Sequence, residues 1–226
     1  MYIVIGSFGP EPLVGHGVVV EPMTEICPPV FYFGTPVVLV TTLNADGSSN
    51  ISPLSSAWAL DNRYVLGFGN DGHALANLRR HPELVINLPA AHQVEAVEAI
   101  APTTGSSPVP AHKRSSYRHV ADKWSLGGFT PQTSLDVAPA RIADCPVQLE
   151  ARLVQEVRIA DGAAAAVEVA ITRTHVHARI LSSTPNRIDT NRWRPLYYTF
   201  RHYFAQGERV GVNFRAPLLD GPTVAS

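Results

Sequence analysis

Two pairs of extended runs, each joined by an Asp-Gly turn, dominate the pattern of this sequence. In the first pair, VVLVTTL at 37–43 leads through NADG into SSNISPLSSAWAL at 48–60. In the second pair, CPVQLEARLVQEVRI at 145–159 and AVEVAITRTHVHARIL at 166–181 flank Asp161-Gly162. β-Rich runs bounded by Asp-Gly are typical of antiparallel hairpins. The chain therefore contains at least two hairpins.

The remaining runs predict more strands than helices. RYVLGF at 63–68 and ELVINLP at 83–89 read as strands, while HALANLRRH at 73–81 and residues 91–100 have helical spacing. RPLYYTFRHYF at 194–204 predicts a last strand or short helix, and ERVGVNF at 208–214 a closing strand. No regular βαβ alternation is present. We therefore predict a mainly β fold, a Greek-key-like antiparallel barrel with a few peripheral helices.

Length and composition predict a single domain over residues 1–226. Hydrophobic residues make up 45% of the chain and charged residues 16%, as in globular proteins. Residues 1–32 are rich in Gly and Pro, and we expect an irregular N-terminal arm that packs on the core. Residues 101–135 show little periodicity, which predicts a long loop that could act as a lid.

Charge and hydropathy exclude several classes of partner. The net charge of -1 argues against nucleic acid as a partner, and no apolar run approaches the ~18 residues of a membrane-spanning helix. The N-terminus lacks the basic region of a secretory signal, so we expect a cytoplasmic protein. Cys27 and Cys145 stand outside any metal-ligand spacing and are expected to be unpaired thiols.

Two apparent motifs have simpler explanations. Gly67 to Gly72 match the glycine spacing of a dinucleotide fingerprint, but the next strand ends without the acidic residue that would hold the ribose. We therefore predict no Rossmann site. His175 and His177 lie on one face of a strand, but no third metal ligand is spaced nearby, and we expect them to face solvent.

Two polar segments are better candidates for a binding site. The first hairpin brings together Asn50, Ser52, Ser55 and Ser56 around Pro53, and these short polar groups and free backbone N–H groups predict a neutral anion cradle. Taken alone, a polar hairpin edge explains them better, because Ser and Asn are common turn residues. The second segment is the start of the helix at 73–81, where Asn77 lies one turn in and free N–H groups favour phosphate.

The order of these segments resembles the flavin reductase-like family. Residues 36–56 and 73–89 are similar to its strand, dG turn, N-x-S-P-x-S, T-x-x-N-L helix start and vvNlp strand. Residues 103–131, which contain DKWSLGGFTP, are similar to its DKF-x-x-aGlTp loop, and residues 137–153 resemble its pPRi-x-eCPv-x-lEa strand. The likeness runs in order over about residues 33–181. The chain is identified as a member of this family on that basis.

The resemblance implies an FMN-binding split barrel that forms a homodimer, with FMN, or FAD in its place, at the subunit interface. It implies flavin contacts from the hairpin and the helix start, and a loop that covers the ring from Lys123 and Trp124. The implied cofactor-binding residues are Thr41, Asn50, Ser52, Pro53, Ser55, Ser56, His73, Asn77, Lys123 and Trp124. Arg201 or His202 is the candidate donor to N1 and O2 of the flavin, although a surface ion pair with a carboxylate is the simpler explanation for Arg201.

The chain departs from the family pattern at two places. The Thr at the helix start is Ala74 here, which removes a hydroxyl from the expected phosphate contacts, although His73 beside it could compensate. The His that many members place near residues 163–166 is replaced by alanines. The second departure bears more on turnover with a nicotinamide than on flavin binding.

The resemblance leaves three functions to distinguish. The first is an NAD(P)H-dependent flavin reductase that passes electrons to free flavin, another small-molecule acceptor or a partner oxygenase. The second is a flavin-binding redox carrier without its own NAD(P)H turnover. The third keeps the barrel but fills it with another cofactor, such as heme or a deazaflavin. The sequence does not separate NADH from NADPH.

Overall fold

The computed structural model describes residues 21–216. Internal contacts divide the chain into residues 1–31 and residues 32–226, and the second unit contains every helix and strand of the described residues. Residues 21–32 have neither helix nor strand, as expected of an irregular arm. Residues 1–20 lie outside the described residues. The single domain over 1–226 and the packing of the arm therefore stay predictions.

The described chain contains fourteen strands and three α-helices. In chain order these are β1 (Phe33–Pro36), β2 (Val38–Leu43), β3 (Ser49–Leu54), β4 (Ala57–Leu60), β5 (Arg63–Gly69), α1 (His73–Arg80), β6 (Glu83–Leu88), α2 (Val94–Ile100), β7 (Thr103–Thr104), β8 (Arg118–His119), α3 (Lys123–Gly127), β9 (Pro131–Gln132), β10 (Arg141–Ile142), β11 (Val147–Ile159), β12 (Ala164–Val176), β13 (Leu196–Thr199) and β14 (His202–Ala205). None of the helices within residues 21–216 has the length and apolar character needed to cross a membrane.

A seven-stranded antiparallel sheet forms the body of the fold, in the order β3-β2-β6-β11-β12-β5-β4. The sheet curls, so that β3 at one edge also contacts β5 near the other edge. A smaller sheet, β1-β13-β14, and the short pairs β9–β10 and β7–β8 complete the structure. The prediction of a mainly β, antiparallel barrel with a few peripheral helices is confirmed.

Both predicted hairpins are present. In the turn between β2 and β3, Gly47 has φ of +84°, a conformation that favours glycine, and the Asp46 carboxylate accepts a hydrogen bond from the backbone N–H of Ser48. Between β11 and β12, Asp161 and Gly162 both have positive φ. These turns set the register in which β3 and β12 pair with their neighbours.

The structure corrects two predicted strands, the first in its bounds and the second in its existence. The run at 48–60 is not one strand, because it breaks at Ser55 and Ser56 and its second half, β4, pairs with β5. The run at 208–214 forms no strand. Its side chains are mostly exposed, Val210 fully so, and no strand of the described chain pairs with it. The segment at 194–204 is the β13–β14 hairpin.

Strand β2 is buried on both faces and separates two cores. Side chains alternate across a strand, so Val38 and Val40 pack in one core with Leu75 of α1, while Leu39 packs in the other core with Ile100 of α2. All five side chains are at most 1% exposed. Burying each of them contributes ~1.5–3 kcal/mol. Helices α1 and α2 are thereby fixed on opposite sides of the first hairpin.

Candidate functional site

A small pocket lies where β3 ends, α1 begins and the segment from α2 to α3 crosses. Its walls come from the end of β3 (Ser52 to Leu54), the turn between β5 and α1, β7 with the following Gly105, and the loop that carries Lys113 and Tyr117. The cavity has a volume of about 160 Å³. The two polar segments singled out in the sequence therefore meet at one place.

The lining of this pocket is positively charged. His73, Lys113 and Lys123 contribute to it, and no Asp or Glu lines it among the described residues. The hairpin alone predicts a neutral cradle, and the structure corrects that expectation because two lysines from the later loop complete the wall. An arrangement of cations with no carboxylate suits an anionic ligand.

Lys123 is buried at the base of the pocket. Its side chain is anchored because α3 begins at this residue, with the Asp122 carboxylate capping the helix at the N–H of Ser125. Nζ donates a hydrogen bond to the carbonyl oxygen of Ile51 at 2.8 Å. Burial lowers the pKa of Lys123 to about 8. The ammonium carries three donors, so others remain for a ligand.

His73, the first residue of α1, is half-buried beside Lys123. Its Nε2 lies 2.8 Å from Oδ1 of Asn44. Burial and the nearby charges of Lys123, Arg80 and His119 lower the pKa of His73. Burial is the larger cause and the neighbouring positive charges add to it, so the site disfavours a further positive charge on His73.

Asn44 links the hairpin turn to α1. Its Oδ1 also accepts a hydrogen bond from Nδ2 of Asn77 at 2.9 Å. Asn77 is fully buried, donates to Oγ1 of Thr42 at 3.0 Å and accepts from Arg80 at 2.7 Å. Asn77 therefore does not line the pocket. It holds Asn44, which in turn orients His73.

The backbone of Gly105 lies close to the side chains of Asn50 and His73 on the hairpin side of the pocket. Asn50 is buried, and its Nδ2 donates to Oγ of Ser52 at 3.0 Å. A Cβ atom at Gly105 would lie 2.4 Å from Cδ2 of His73 and 2.9 Å from Oδ1 of Asn50. Glycine is required at 105 because any side chain there would displace both groups.

Four of the predicted cofactor-binding residues line the pocket, namely Ser52, Pro53, His73 and Lys123. Asn50 and Asn77 support that lining from behind. The sequence patterns gave no signal for Asn44 or Lys113, because an Asn in a turn and a Lys in a loop are ordinary residues there. Gly105 could have been noticed only as a glycine among polar residues.

Other predicted residues do not line the pocket. The Thr41 hydroxyl donates to the carbonyl of Ala140 at 2.6 Å, and Nε1 of Trp124 donates to the carbonyl of Ser49 at 2.6 Å. Trp124 thus fastens α3 to β3. The Ser56 hydroxyl lies 2.9 Å from the Tyr32 hydroxyl. Ser55, Arg201 and His202 are also outside the lining, the last two being exposed at the β13–β14 turn.

The two strand histidines do not face solvent as expected. Nε2 of His175 lies 2.7 Å from the buried carboxylate of Glu150, and Nε2 of His177 lies 2.9 Å from the carbonyl oxygen of Ala143. Both side chains are partly buried because the segment before β11 folds over this face. Within residues 21–216, no group of three or more His, Cys, Asp or Glu is arranged to hold a metal ion. Cys27 and Cys145 are both free thiols, as predicted.

A larger cleft of about 520 Å³ shares no lining residue with this pocket. It lies between α2 and the turns near Gly128 and His177, and its lining mixes Glu95 and Asp144 with Arg179. None of the predicted site residues contributes to it. The smaller pocket is therefore the better candidate, because charge and the predicted residues coincide only there.

The sequence as a whole matches a family model described as the flavin reductase like domain, over residues 30–207. The chain belongs to this family. It is 41% identical over 194 residues to the uncharacterized protein YdfE of Bacillus subtilis strain 168, a match that covers 85% of this chain and 93% of YdfE. The prediction of family membership is confirmed.

Solved structures support the same fold. Flavoredoxin of Desulfovibrio vulgaris (Miyazaki F) superimposes with a TM-score of 0.72 at 18% identity, covering 86% of this chain and 99% of that one. A flavin reductase with split barrel domain from Shewanella frigidimarina NCIMB 400 superimposes with a TM-score of 0.64 at 15% identity, covering 80% and 86%. The fold of this chain is the split barrel of flavin reductases.

Proposed function

We propose that this protein binds FMN with the phosphate in the pocket between β3, α1 and β7, takes electrons from NADH or NADPH, and passes them to an acceptor. The acceptor is free flavin, another small molecule or a partner oxygenase. One observation carries the proposal: the two family segments converge on a pocket lined by His73, Lys113 and Lys123, with no Asp or Glu in the lining among the described residues, although Asp71 at the rim pairs with Lys113. FAD contains the same phosphate and ring, and remains the alternative flavin.

The pocket fits a phosphate group by charge and by hydrogen bonding. No side chain caps the N-terminus of α1 at Gly72, so the N–H groups of its first turn are available to a ligand. The hydroxyls of Ser52 and Thr104 lie in the same lining. Lys123 supplies positive charge at the base of the pocket. Together these groups replace the hydroxyl that is missing at Ala74.

The size of the pocket fits only part of the flavin. Small-molecule sites commonly have volumes of ~300–1,000 Å³, whereas this one has about 160 Å³. We assign the cavity to the phosphate and ribityl chain. Tyr117, which is 41% exposed, supplies aromatic surface in the lining, and the flavin ring would extend beyond it. The ring would then need a further surface to cover it.

A second copy of the chain would provide that surface. Phe33, Trp58 and Leu60 expose 71%, 54% and 68% of their area, and Trp58 and Leu60 lie on the edge strand β4. Exposed apolar groups on an edge strand favour pairing with another chain. We propose a homodimer. Light scattering should return about twice 24.4 kDa.

Variants at this edge test the dimer. Leu60→Glu should give a monomer with weaker FMN binding, while Val210→Glu, a fully exposed position, should leave the mass unchanged. A wild-type protein that is monomeric by light scattering and still binds FMN would exclude the dimer.

When bound, the flavin would take two electrons as a hydride from the nicotinamide and release them to the acceptor. The residues of the chain bind and orient. Lys123 would bind the phosphate at the base of the pocket, and Asn44 fixes the ring of His73 in the lining. Lys113 closes one wall, since its Nζ lies 2.6 Å from the Asp71 carboxylate across the pocket rim.

We place the protein in the cytoplasm.

A redox carrier that is reduced by another protein is the alternative function. Flavoredoxin has the same fold, and the alanines at 163–166 replace a His of the family pattern. An absorption spectrum of the purified protein comes first, because a heme or deazaflavin spectrum would contradict the FMN assignment. Steady-state consumption of NADH and NADPH then separates the two flavin functions. Consumption supports the reductase, and FMN binding without consumption supports the carrier.

A further inference from the structure

The segment 112–119 carries a row of basic side chains beside the pocket. It contains His112, Lys113, Arg114, Arg118 and His119 and no acidic residue. Its cations differ in how they are paired. Asp71 binds two of them, with its carboxylate oxygens 2.6 Å from Nζ of Lys113 and 2.9 Å from Nε2 of His112.

The other three have no carboxylate partner within residues 21–216. Nε of Arg114 donates to the carbonyl oxygen of Val109 at 3.1 Å. Arg118 and His119 are exposed. Arg118 lies on strand β8, and its guanidinium without a carboxylate partner is available to an anion, because a planar guanidinium binds phosphate through two parallel hydrogen bonds.

The position of Arg118 and His119 is fixed relative to the pocket. They form β8, which pairs with β7 in the register Thr103↔Arg118 and Thr104↔His119. Thr103 and Thr104 line the pocket, as does Tyr117 on the other side. His119 also lies close enough to His73 to contribute to the lowering of the pKa of His73. The row of charges therefore borders the same opening from which the flavin ring would emerge.

We infer that Arg118, with His119 and Arg114, forms a second anion subsite at the mouth of the pocket, and that it binds the phosphates of the nicotinamide dinucleotide. This inference rests on the proposed function, because it assigns the first anion subsite, around His73 and Lys123, to the flavin phosphate. A nicotinamide dinucleotide carries a pyrophosphate one ribose away from its nicotinamide, and NADP carries a third phosphate on its adenosine ribose. Its anionic part therefore matches a row of cations beside the place of electron transfer.

The overall charge of the chain supports a small anion over a polyanion. The net charge is -1, so the positive row is local and no extended basic surface continues from it. The subsite therefore acts on affinity for the donor and leaves the flavin in place.

The test uses Arg118→Gln and the double variant Arg118→Gln with His119→Gln. Calorimetric titration of FMN-loaded protein with NAD⁺ and NADP⁺ should show affinity reduced by roughly tenfold in Arg118→Gln and by more in the double variant, with weaker salt dependence. FMN affinity and the melting temperature should not change. Arg158→Gln, which removes the same charge from an exposed position on β11, is the matched control.

Each outcome decides a different claim. Unchanged dinucleotide affinity in both variants, or no dinucleotide binding by the wild type, would overturn the subsite. An equal loss of FMN affinity would also overturn it, because the segment would then belong to the flavin phosphate site. If the wild type fails to bind FMN, the proposed function is contradicted, and the same titrations of flavin-free protein still decide the subsite.

Discussion

Oδ1 of Asn44 lies 2.8 Å from Nε2 of His73, so a residue in a hairpin turn fixes the first residue of a helix 29 positions later. Because the Asn44 oxygen only accepts hydrogen bonds, it selects the His73 tautomer that carries its proton on Nε2. Asn77 donates to the same oxygen. The three side chains form one unit, which holds the hairpin and α1 together at the pocket.

Asn77 belongs to this unit and Ser52 does not, so substitutions of the two residues should have different effects. Ser52 lines the pocket, so Ser52→Ala should weaken FMN binding by roughly tenfold, which corresponds to a hydrogen bond to a charged group, with little change in melting temperature. Asn77 is fully buried, so Asn77→Ala should lower the free energy of unfolding by ~1–3 kcal/mol and weaken FMN binding through His73.

Calorimetry with FMN and thermal unfolding of the same two proteins check this prediction. Gln148→Ala, a buried amide that pairs with Arg141 away from the pocket, is the control for stability loss alone. Ser52→Ala with unaltered FMN affinity would show that Ser52 only completes the hairpin edge.

The buried ammonium of Lys123 predicts how stability depends on pH. Its pKa is about 8 in the folded protein and ~10.4 in the unfolded chain. Between these values the unfolded chain holds more protons, so the free energy of unfolding should rise with pH from about 8 to about 10.4, by on the order of 2–3 kcal/mol. Lys123→Met, which keeps the length of the side chain, should remove this rise.

Urea unfolding at pH 7, 8.5 and 10 gives the free energies, and the difference between wild type and variant isolates Lys123 from other titrating groups. Binding of FMN should also raise the protonated fraction of Lys123, because a nearby anion favours the charged form. At pH 9, FMN binding should therefore take up protons in the wild type only. If the free energies of unfolding of the wild type and the variant changed with pH in the same way, the lowered pKa would not belong to Lys123.

The ion pairs at Asp71 should control the segment 103–118. Asp71→Asn removes the partner of both His112 and Lys113, and exposed pairs contribute only ~0–1 kcal/mol, so the melting temperature should hardly change. Local opening should nevertheless increase. Trypsin should cut after Lys113, Arg114 or Arg118 several times faster than in the wild type, and FMN should slow the cut in both.

Glu156→Gln, which removes the exposed pair with Arg79 on another part of the surface, should leave this cleavage unchanged. Equal cleavage rates with and without FMN would argue that the segment is a plain surface loop and no lid.

Local patterns in the sequence determine the fold to a large extent. The hairpin turns at Gly47 and Gly162 are visible because Asp-Gly between β-rich runs has few alternatives. The strand at 208–214 was wrong because alternation alone does not show whether a partner strand exists. The β3–β4 break at Ser55 was also missed, since it depends on which neighbour each half pairs with.

The site was only partly predictable for a related reason. Ser52 and His73 follow from the family segments, which lie close to each other in sequence. Lys113 comes from a loop 40 residues beyond His73, and Asn44 looks like any turn residue. The hydrogen bond by which Trp124 fastens α3 to β3 was not predicted, and its predicted place in the loop over the flavin ring stays a prediction. Contacts distant in sequence, such as Lys113 with Asp71, appear only when the barrel is closed.

The comparison of FMN with riboflavin tests the central claim most directly, because the two molecules differ only in the phosphate. In calorimetric titrations of the wild-type protein at pH 7.5 and low salt, FMN should bind at least ~10-fold more tightly than riboflavin, and added salt should weaken FMN alone. Equal affinities for FMN and riboflavin, or no binding of FMN, would contradict the assignment of the pocket around His73, Lys113 and Lys123 to the flavin phosphate.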